Sequence, residues 1–123
     1  MAELPAGVDI NNLIDDIKSF CWEASEILMY YSQIIKDSNG KCNIICNDKI
    51  EDPVTLADIK VNDLIIKRIS EKYKNVGWEI LSEENVKNNS SDFESNCDWV
   101  WVLDPLDGTK DFIQGTGDYA MHL

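Results

Sequence analysis

The sequence predicts a domain that mixes helices and strands, in the α/β or α+β class. Two long segments carry apolar residues at steps of three and four, which is the period of an amphipathic helix. Shorter apolar runs follow these segments and are bounded by polar turn formers, which predicts strands. The 123 residues are enough for one domain with a modest core.

The first helix is predicted for residues 10–35, with Asp9 as its N-terminal cap. Turn formers at 36–41 end it, residues 42–47 form a short strand, and 47–53 form a polar loop. The amphipathic pattern rests on Ile10, Leu13, Ile14, Ile17, Cys21, Ala24, Ile27, Leu28, Tyr31 and Ile35.

The second helix is predicted for residues 56–72, with Thr55 as its N-terminal cap. Asp58 would stand at the third helical position and complete a variant of the capping box, with Asp in place of Glu. A purely structural capping role would account for both residues. The buried stripe of this helix consists of Ala57, Val61, Leu64, Ile65 and Ile69.

The second half of the chain is predicted to be richer in strands. Residues 76–85 indicate a strand that runs into a loop, and 86–98 a polar loop rich in Ser and Asn. Residues 99–104 indicate a buried strand, and 118–123 the start of another. We therefore expect residues 1–123 to form one N-terminal domain that is truncated within a strand.

The charge balance limits the classes of partner. With 23 acidic and 11 basic residues the net charge is −12, which argues against nucleic acid or an anionic membrane as a direct partner. No apolar run approaches the roughly 20 residues that span a membrane, and the N-terminus has no secretory signal pattern. The expected compartment is the cytoplasm. A phosphate substrate would need a metal ion to screen it.

The cysteines do not indicate a zinc site. Cys21, Cys42, Cys46 and Cys97 form no C-x-x-C pair, and His122 is the only histidine. Without an export signal, we expect four reduced thiols.

Two acidic segments could supply ligands for a metal ion. In "LDPLDGT", Asp104 would end a strand, and Pro105 and Gly108 would shape a tight turn that directs Asp104 and Asp107 toward one point. Two close carboxylates repel each other, and a hard divalent cation such as Mg²⁺ or Mn²⁺ relieves that repulsion. Ordinary turn and capping roles are the alternative for these aspartates.

The second acidic segment, "SEEN", follows another apolar run. Glu83 and Glu84 at the end of that strand could add a third carboxylate to the same crevice. The alternative is solvated loop charge.

Three segments together resemble those of the Mg²⁺-dependent, lithium-sensitive phosphatases of the inositol monophosphatase superfamily. They are "PVTLAD" at 53–58, "SEE" at 82–84 and "DPLDGT" at 104–109, in the same order and spacing. "DGTKDF" at 107–112 is most similar to the 3′(2′),5′-bisphosphate nucleotidase branch of the CysQ type. The resemblance implies the N-terminal part of a layered αβαβα fold of class α+β, with helices packed on a mixed, largely antiparallel sheet.

The resemblance also implies a metal site. Glu83, Asp104, the carbonyl of Leu106 and Asp107 correspond to ligands of Mg²⁺, with two or three ions in the site and Mn²⁺ as a second candidate. The remaining aspartate ligand of the family lies beyond Leu123. We therefore expect the chain alone to be poorly active or inactive.

The resemblance implies catalytic roles as well. Asp58, Thr109 and Glu83 correspond to catalytic residues, and Asp58 and Thr109 to the hydrogen-bonded pair that activates water. Backbone N–H groups of Gly108 and Thr109 would bind the substrate phosphate at the start of a helical turn. The implied reaction removes the 3′-phosphate of adenosine 3′,5′-bisphosphate or of 3′-phosphoadenosine 5′-phosphosulfate.

Three alternatives remain open at this point. The substrate could be an inositol phosphate or another sugar phosphate, or the chain could bind metal without turnover. The haloacid-dehalogenase phosphatases also have an Asp before "DGT", but their two aspartates are two residues apart, whereas Asp104 and Asp107 are three apart. A homodimer is a possible assembly.

Overall fold

The computed structural model describes residues 3–38, 44–47, 54–88 and 97–123. The α+β class is confirmed, with helices packed on a mixed sheet. In chain order the elements are α1 (Ile10–Asp37), β1 (Ile45–Asn47), β2 (Val54–Thr55), α2 (Leu56–Lys72), β3 (Glu79–Ser82), α3 (Glu83–Asn88), β4 (Val100–Asp107), α4 (Thr109–Gln114) and β5 (Ala120–His122).

The strands form two small sheets. β1 and β2 pair antiparallel, whereas β4 lies between β3, to which it is parallel, and β5, to which it is antiparallel. The β3–β4 register places Ser82 opposite Leu103. Because the two strands run in the same direction, Glu83, which directly follows β3, lies beside Asp104 within β4.

The two long helices have the predicted bounds to within two residues. Asp9 caps α1 and accepts a hydrogen bond from the backbone N–H of Asn11 at 3.0 Å. The Arg68 guanidinium on α2 binds both carboxylate oxygens of Glu23 on α1, at 2.8 and 3.0 Å. The core between the helices and the larger sheet includes Phe20, Ala24, Leu28, Val61, Ile65, Ile69, Trp101, Leu103 and Leu106.

The predicted loop at the end of β3 is wrong. Glu83 begins α3 directly after β3, so residues 83–88 are helical. Two glutamates in the first turn favour a helix there, because the N-terminal end of a helix stabilises negative charge. Positions 89–96 of the predicted polar loop lie outside the described residues, as do 42–43 of the predicted strand and 48–53 of the first polar loop.

The predicted end of the central strand is also wrong. β4 does not end at Asp104 but continues through Pro105 to Asp107. Proline cannot donate to a strand ladder, and it is tolerated here because the β4–β5 register shifts between Asp104 and Asp107. The sharp turn therefore comes after Asp107, at Gly108 alone, where φ is +84°.

None of the helices in the described ranges is both long enough and apolar enough to cross a membrane. The cytoplasmic location stays a prediction. Cys21 forms no disulfide in the described structure, and burial raises the pKa of its thiol. Cys42 lies outside the described residues.

Candidate active site

An acidic pair lies where β3 and β4 run side by side. The Glu83 carboxyl at the start of α3 is hydrogen-bonded to the carboxyl of Asp104 in β4. Asp104 also accepts a hydrogen bond from the backbone N–H of Leu106 at 3.2 Å. Burial, and then the hydrogen bond and charge of Glu83, raise the pKa of Asp104 to about 7. Two carboxyls held this close share a proton or a cation.

Asp107, at the end of β4, is directed elsewhere. Its side chain is 66% exposed, and its Oδ2 lies 3.3 Å from Nε2 of His122 on β5. Sequence reasoning assigned no role to His122. The pairing of β5 beside β4 brings it to the site, and only a prediction of that pairing could have found it.

The predicted ligand atoms are of the type that a hard cation prefers. The predicted ligands offer only carboxylate and carbonyl oxygen, which Mg²⁺ and Mn²⁺ prefer. In the part of the chain that the structure describes, however, no three acidic, His or Cys side chains are arranged to hold one ion. Glu83 and Asp104 bond to each other, and Asp107 faces His122. Of the predicted ligands, Glu83 and Asp104 are therefore adjacent, but a bound ion would have to replace the hydrogen bond between them.

Asp58 is held rigidly at the start of α2. Its Oδ2 accepts hydrogen bonds from the backbone N–H of Thr55 at 2.7 Å and from its hydroxyl at 2.6 Å. The Asp58 N–H returns a bond of 3.4 Å to Thr55 Oγ1, so the predicted capping box is present. Asp58 is only 1% exposed. Burial raises the pKa of its carboxyl, and the hydrogen bonds from Thr55 and Thr109 oppose that rise.

Thr109 joins this cap to the end of β4. Its hydroxyl lies 3.2 Å from Asp58 Oδ1 and 3.1 Å from the carbonyl oxygen of Leu106. The hydrogen bond between Thr109 and Asp58 that the resemblance implied is therefore present. Because Thr55 occupies Oδ2 and Thr109 contacts Oδ1, the two carboxylate oxygens have separate partners.

Gly108 brings the chain sharply from β4 into α4. Its φ of +84° is a conformation that residues with a side chain rarely adopt. A Cβ at this position would also lie 2.5 Å from the carbonyl oxygen of Asp118. Phe112, which is 1% exposed, anchors α4 by packing edge-on against Tyr119 with ring centroids 4.8 Å apart. This packing holds the first turn of α4 beside Asp58.

A buried polar network beneath Glu83 was missed by sequence reasoning. The Ser82 hydroxyl at the end of β3 donates to Oδ1 of Asn62 on α2, and Asn62 Nδ2 lies 3.4 Å from Oδ1 of Asn85. These contacts tie α2 to the start of α3, next to Glu83. The available signal was Asn62 itself, a polar residue that directly follows Val61 of the apolar stripe and is 6% exposed.

A protein-family model described as "Inositol monophosphatase family" matches residues 11–123. Among curated proteins, the 3′(2′),5′-bisphosphate nucleotidase CysQ of Haemophilus influenzae is 37% identical over 71 residues, which are 56% of this chain and 24% of the relative. Inositol monophosphatase 1 of Sus scrofa is 30% identical over 84 residues, 68% of this chain and 29% of the relative. The match thus spans about a quarter of these relatives' length.

Solved structures show the same fold. The IMPase of Thermotoga maritima has a TM-score of 0.64 at 22% identity, covering 89% of this chain and 37% of that structure. The extragenic suppressor protein SuhB of Bartonella henselae has a TM-score of 0.66 at 20% identity, covering 89% of this chain and 38% of that structure.

Proposed function

Since this chain belongs to the inositol monophosphatase family, we propose that it carries the water-activating and metal-binding residues of a Mg²⁺-dependent phosphomonoesterase. The reaction we propose removes the 3′-phosphate of adenosine 3′,5′-bisphosphate or of 3′-phosphoadenosine 5′-phosphosulfate. The observation that carries the proposal is the hydrogen bond of 3.2 Å between Thr109 and the buried carboxyl of Asp58.

That hydrogen bond suits general-base catalysis. When the Thr109 hydroxyl donates to Asp58 Oδ1, the lone pairs of its oxygen remain free to accept a proton from an attacking water. Asp58 is a suitable final acceptor because burial raises the pKa of its carboxyl toward the working range of a base. Thr55 prevents the carboxyl from rotating, since it binds the other oxygen.

The metal ligands in this proposal are Glu83, Asp104, the carbonyl of Leu106 and Asp107. When bound, Mg²⁺ in such a site lowers the pKa of a water ligand and neutralises phosphate oxygens. The acidic pair of Glu83 and Asp104 supports the assignment, because the two carboxyls are hydrogen-bonded to each other where α3 begins beside β4. A chain with a net charge of −12 needs such a cation to accept an anionic substrate.

The substrate phosphate has a proposed place at the start of α4. The first N–H groups of a helix have no acceptor within the helix and are available to an anion. We assign this role to the N–H groups of Gly108 and Thr109, which directly follow Asp107 at the end of β4. The phosphate would then lie between Asp107 and the water-activating pair.

Two substrate classes compete. The CysQ nucleotidase of H. influenzae has the higher identity of the two curated relatives, and "DGTKDF" at 107–112 favours the same class. Inositol monophosphatase 1 of S. scrofa aligns with a larger share of the chain, 68% against 56%, which makes an inositol phosphate the second candidate. We favour the adenosine bisphosphate.

A phosphate-release assay with Mg²⁺ tests both the preferred substrate and the proposed role of Thr109. The assay compares adenosine 3′,5′-bisphosphate with inositol 1-phosphate, using the chain and the complete product of its gene. We expect the first substrate to be preferred, and Thr109→Val to lower kcat by about 100-fold or more, because the proton acceptor is lost. Thr109→Ser should retain most of the activity. Thr116→Val is the control, since the Thr116 hydroxyl is hydrogen-bonded to Asp111 and Asp118 in the turn that follows α4.

A preference for inositol 1-phosphate would replace the proposed substrate with the second candidate. Metal binding without any phosphate release would favour a binding module instead. Titration calorimetry with Mg²⁺ separates these outcomes, and Asp104→Asn should weaken the binding because it removes half of the acidic pair. Unchanged Mg²⁺ affinity in Asp104→Asn would contradict the assigned ligands.

A further inference from the structure

Two polar side chains interrupt the buried side of α2. Asp58 is 1% exposed and Asn62 is 6% exposed. The other buried residues of this helix are all apolar: Ala57, Val61, Ile65 and Ile69. Asp58 and Asn62 are four residues apart, so they lie on one face of the helix, separated by about 6 Å along its axis. A buried polar group costs free energy unless it is hydrogen-bonded, so each of the two needs partners at fixed positions.

The Asn62 amide joins α2 to both sides of the junction between β3 and α3. Its Oδ1 accepts a hydrogen bond from the hydroxyl of Ser82, which ends β3 and is fully buried. Its Nδ2 lies 3.4 Å from Oδ1 of Asn85, in the first turn of α3. An amide can do this because it carries an acceptor and a donor, which neither a carboxylate nor an apolar side chain offers together. Asn62 therefore binds the residues on either side of Glu83 and Glu84.

The short helix α3 depends on the rest of the fold for its position. It has six residues, Glu83–Asn88, and helices shorter than about 12 residues are only marginally stable by themselves. Contacts with other elements therefore set the direction of its first turn, and the hydrogen bonds of Asn62 lie at that turn. Glu83, the first residue of α3, is the one whose carboxyl is hydrogen-bonded to Asp104.

We propose that Asn62 is a positioning residue, which acts through Ser82 and Asn85 to fix Glu83 beside Asp104 for the binding of one Mg²⁺ ion. This inference rests on the proposed function, in which Glu83 and Asp104 are metal ligands. Asn62 does not bind the ion in this proposal; it determines the direction from which Glu83 approaches it.

Such a support matters for Mg²⁺ in particular. Two carboxylates that share one ion repel each other until it binds, so the chain has to hold them together. Mg²⁺ requires nearly ideal octahedral geometry with short distances to oxygen, so a displaced ligand weakens its binding. Loss of a residue that orients a metal ligand typically lowers the metal affinity about 10- to 100-fold.

The same helix sets the distance between the two parts of the candidate site. Asp58 contacts Thr109, and Asn62, one turn further along α2, binds the residues at the start of α3. Because both side chains extend from one helix, the water-activating pair and Glu83 keep a fixed relation to each other. This role accounts for two polar residues among the apolar residues of the buried side.

Titration calorimetry with Mg²⁺, combined with urea denaturation of the metal-free chain, tests the proposal. Asn62→Leu removes both hydrogen bonds at nearly the same side-chain size, and we expect the Mg²⁺ dissociation constant to rise about tenfold or more. Stability should also fall, because the buried Ser82 hydroxyl loses this acceptor. Asn85→Ala, at an exposed position, removes only the longer hydrogen bond and should have a smaller effect.

The double variant Asn62→Leu with Ser82→Ala separates positioning from folding. Removing both partners of a buried hydrogen bond can be nearly neutral for stability, so we expect the double variant to regain most of the lost stability. Its Mg²⁺ affinity should stay low, because apolar contact is not directional and leaves the first turn of α3 without a fixed orientation. An affinity that returned together with the stability would show that Asn62 only supports folding, and the proposal would be wrong.

Ile69→Val is the matched control for a loss of stability. Ile69 is 2% exposed on the same helix and lies about 10 Å from Asn62 along the axis. This variant should be less stable but should bind Mg²⁺ as the unmodified chain does. Equal losses of Mg²⁺ affinity in Ile69→Val and Asn62→Leu would overturn the proposal, since lower stability alone would then weaken the binding.

Hydrogen exchange in the metal-free chain tests the positioning without the ion. In Asn62→Leu the amides of residues 83–88 should exchange about three- to tenfold faster, which is the effect of losing one or two hydrogen bonds, and the last turn of α2 should change less. Unchanged exchange in α3 would contradict the role of Asn62. Failure of the unmodified chain to bind Mg²⁺ would contradict the proposed function and the metal-binding part of this inference, and the exchange result would still decide whether Asn62 holds the start of α3.

Discussion

At the scale of single residues, the Asp58 side chain both caps α2 and contacts Thr109 of the candidate site. The sequence left the two as alternatives. In the structure one carboxylate oxygen accepts from Thr55 and completes the cap of α2, while the other faces Thr109 at 3.2 Å. The capping bonds orient the carboxyl, and this orientation makes the second oxygen available to the candidate site.

Gly108→Ala should destabilise the protein more than Gly115→Ala. Both glycines have a positive φ, +84° and +73°, but only at Gly108 would the new Cβ meet a backbone atom, Asp118 O at 2.5 Å. We expect a loss of about 1 kcal/mol at Gly115 from backbone strain alone and about 2 to 4 kcal/mol at Gly108. Urea denaturation measures both. Equal losses would mean that the β4–α4 turn relaxes freely around the new methyl group.

At the scale of elements, the bounds of the long helices could be predicted from neighbouring residues, whereas the end of the central strand could not. The bounds of α1 and α2 were predictable because apolar period and N-terminal caps act within a few residues of chain. The end of β4 was not, because the ladder that carries it past Pro105 depends on β5, a separate segment of chain. The start of α3 at Glu83 was likewise hidden by the polar composition that follows it.

The cap of α2 leads to a pH-dependent prediction for Thr55→Val. Removing the Thr55 hydroxyl removes a bond that lowers the pKa of Asp58, so that pKa, already raised by burial, rises further. A carboxyl whose pKa is higher in the folded state contributes stability at low pH that is lost as pH rises through the folded-state value. We therefore expect Thr55→Val to cost about 1 to 3 kcal/mol at neutral pH and less near pH 4.

Chemical denaturation at several pH values measures this difference, and Thr55→Ser, which keeps the hydroxyl, is the control. A cost of Thr55→Val that does not change with pH would show that the hydroxyl stabilises the helix start without acting on the Asp58 carboxylate.

The stability contributed by the ion pair between Arg68 on α2 and Glu23 on α1 depends on pH in the opposite direction to that of the Asp58 carboxyl. The hydrogen bond from Arg68 lowers the pKa of Glu23. Its stabilising effect is therefore present above the unfolded-state pKa, near 4.5, and is lost as pH falls through the lower folded-state value. Glu23→Gln should lower stability slightly at neutral pH and not at all in acid. Thermal melts at neutral and at acidic pH test this. Asp63→Asn, at an exposed position, is the control for the loss of one negative charge.

At the scale of the whole molecule, one core joins the helices to the sheet, and the candidate site lies at its edge. Val61, Ile65 and Ile69 of α2 are between 0 and 2% exposed and belong to one cluster with Leu103 and Leu106 of β4. The strand that delivers Asp104 and Asp107 is therefore supported by the same helix whose first turn holds Asp58. Packing between α2 and β4 sets the distance between the two parts of the site.

A truncation in that core should be far more costly than the same truncation at the surface of α2. Ile65→Ala removes a side chain that is fully buried, and we expect a loss of about 2 to 5 kcal/mol. Ile59→Ala makes the same change where the side chain is 36% exposed, and should cost about 1 kcal/mol or less. Urea denaturation compares them; similar losses would indicate a core that is not well packed around Ile65.

Local patterns in the sequence were enough to predict the bounds of the long helices and the caps at Asp9 and Thr55, and the residue types that suit a hard cation and a phosphate stay a prediction from the sequence. These depend on interactions within one or two turns of chain. The tertiary structure decided which residues meet. Asp58 and Thr109 are 51 positions apart, Glu83 reaches Asp104 only through the parallel register of β3 and β4, and His122 reaches Asp107 only through β5. Such contacts depend on strand pairing and core packing between distant segments, which local patterns do not encode.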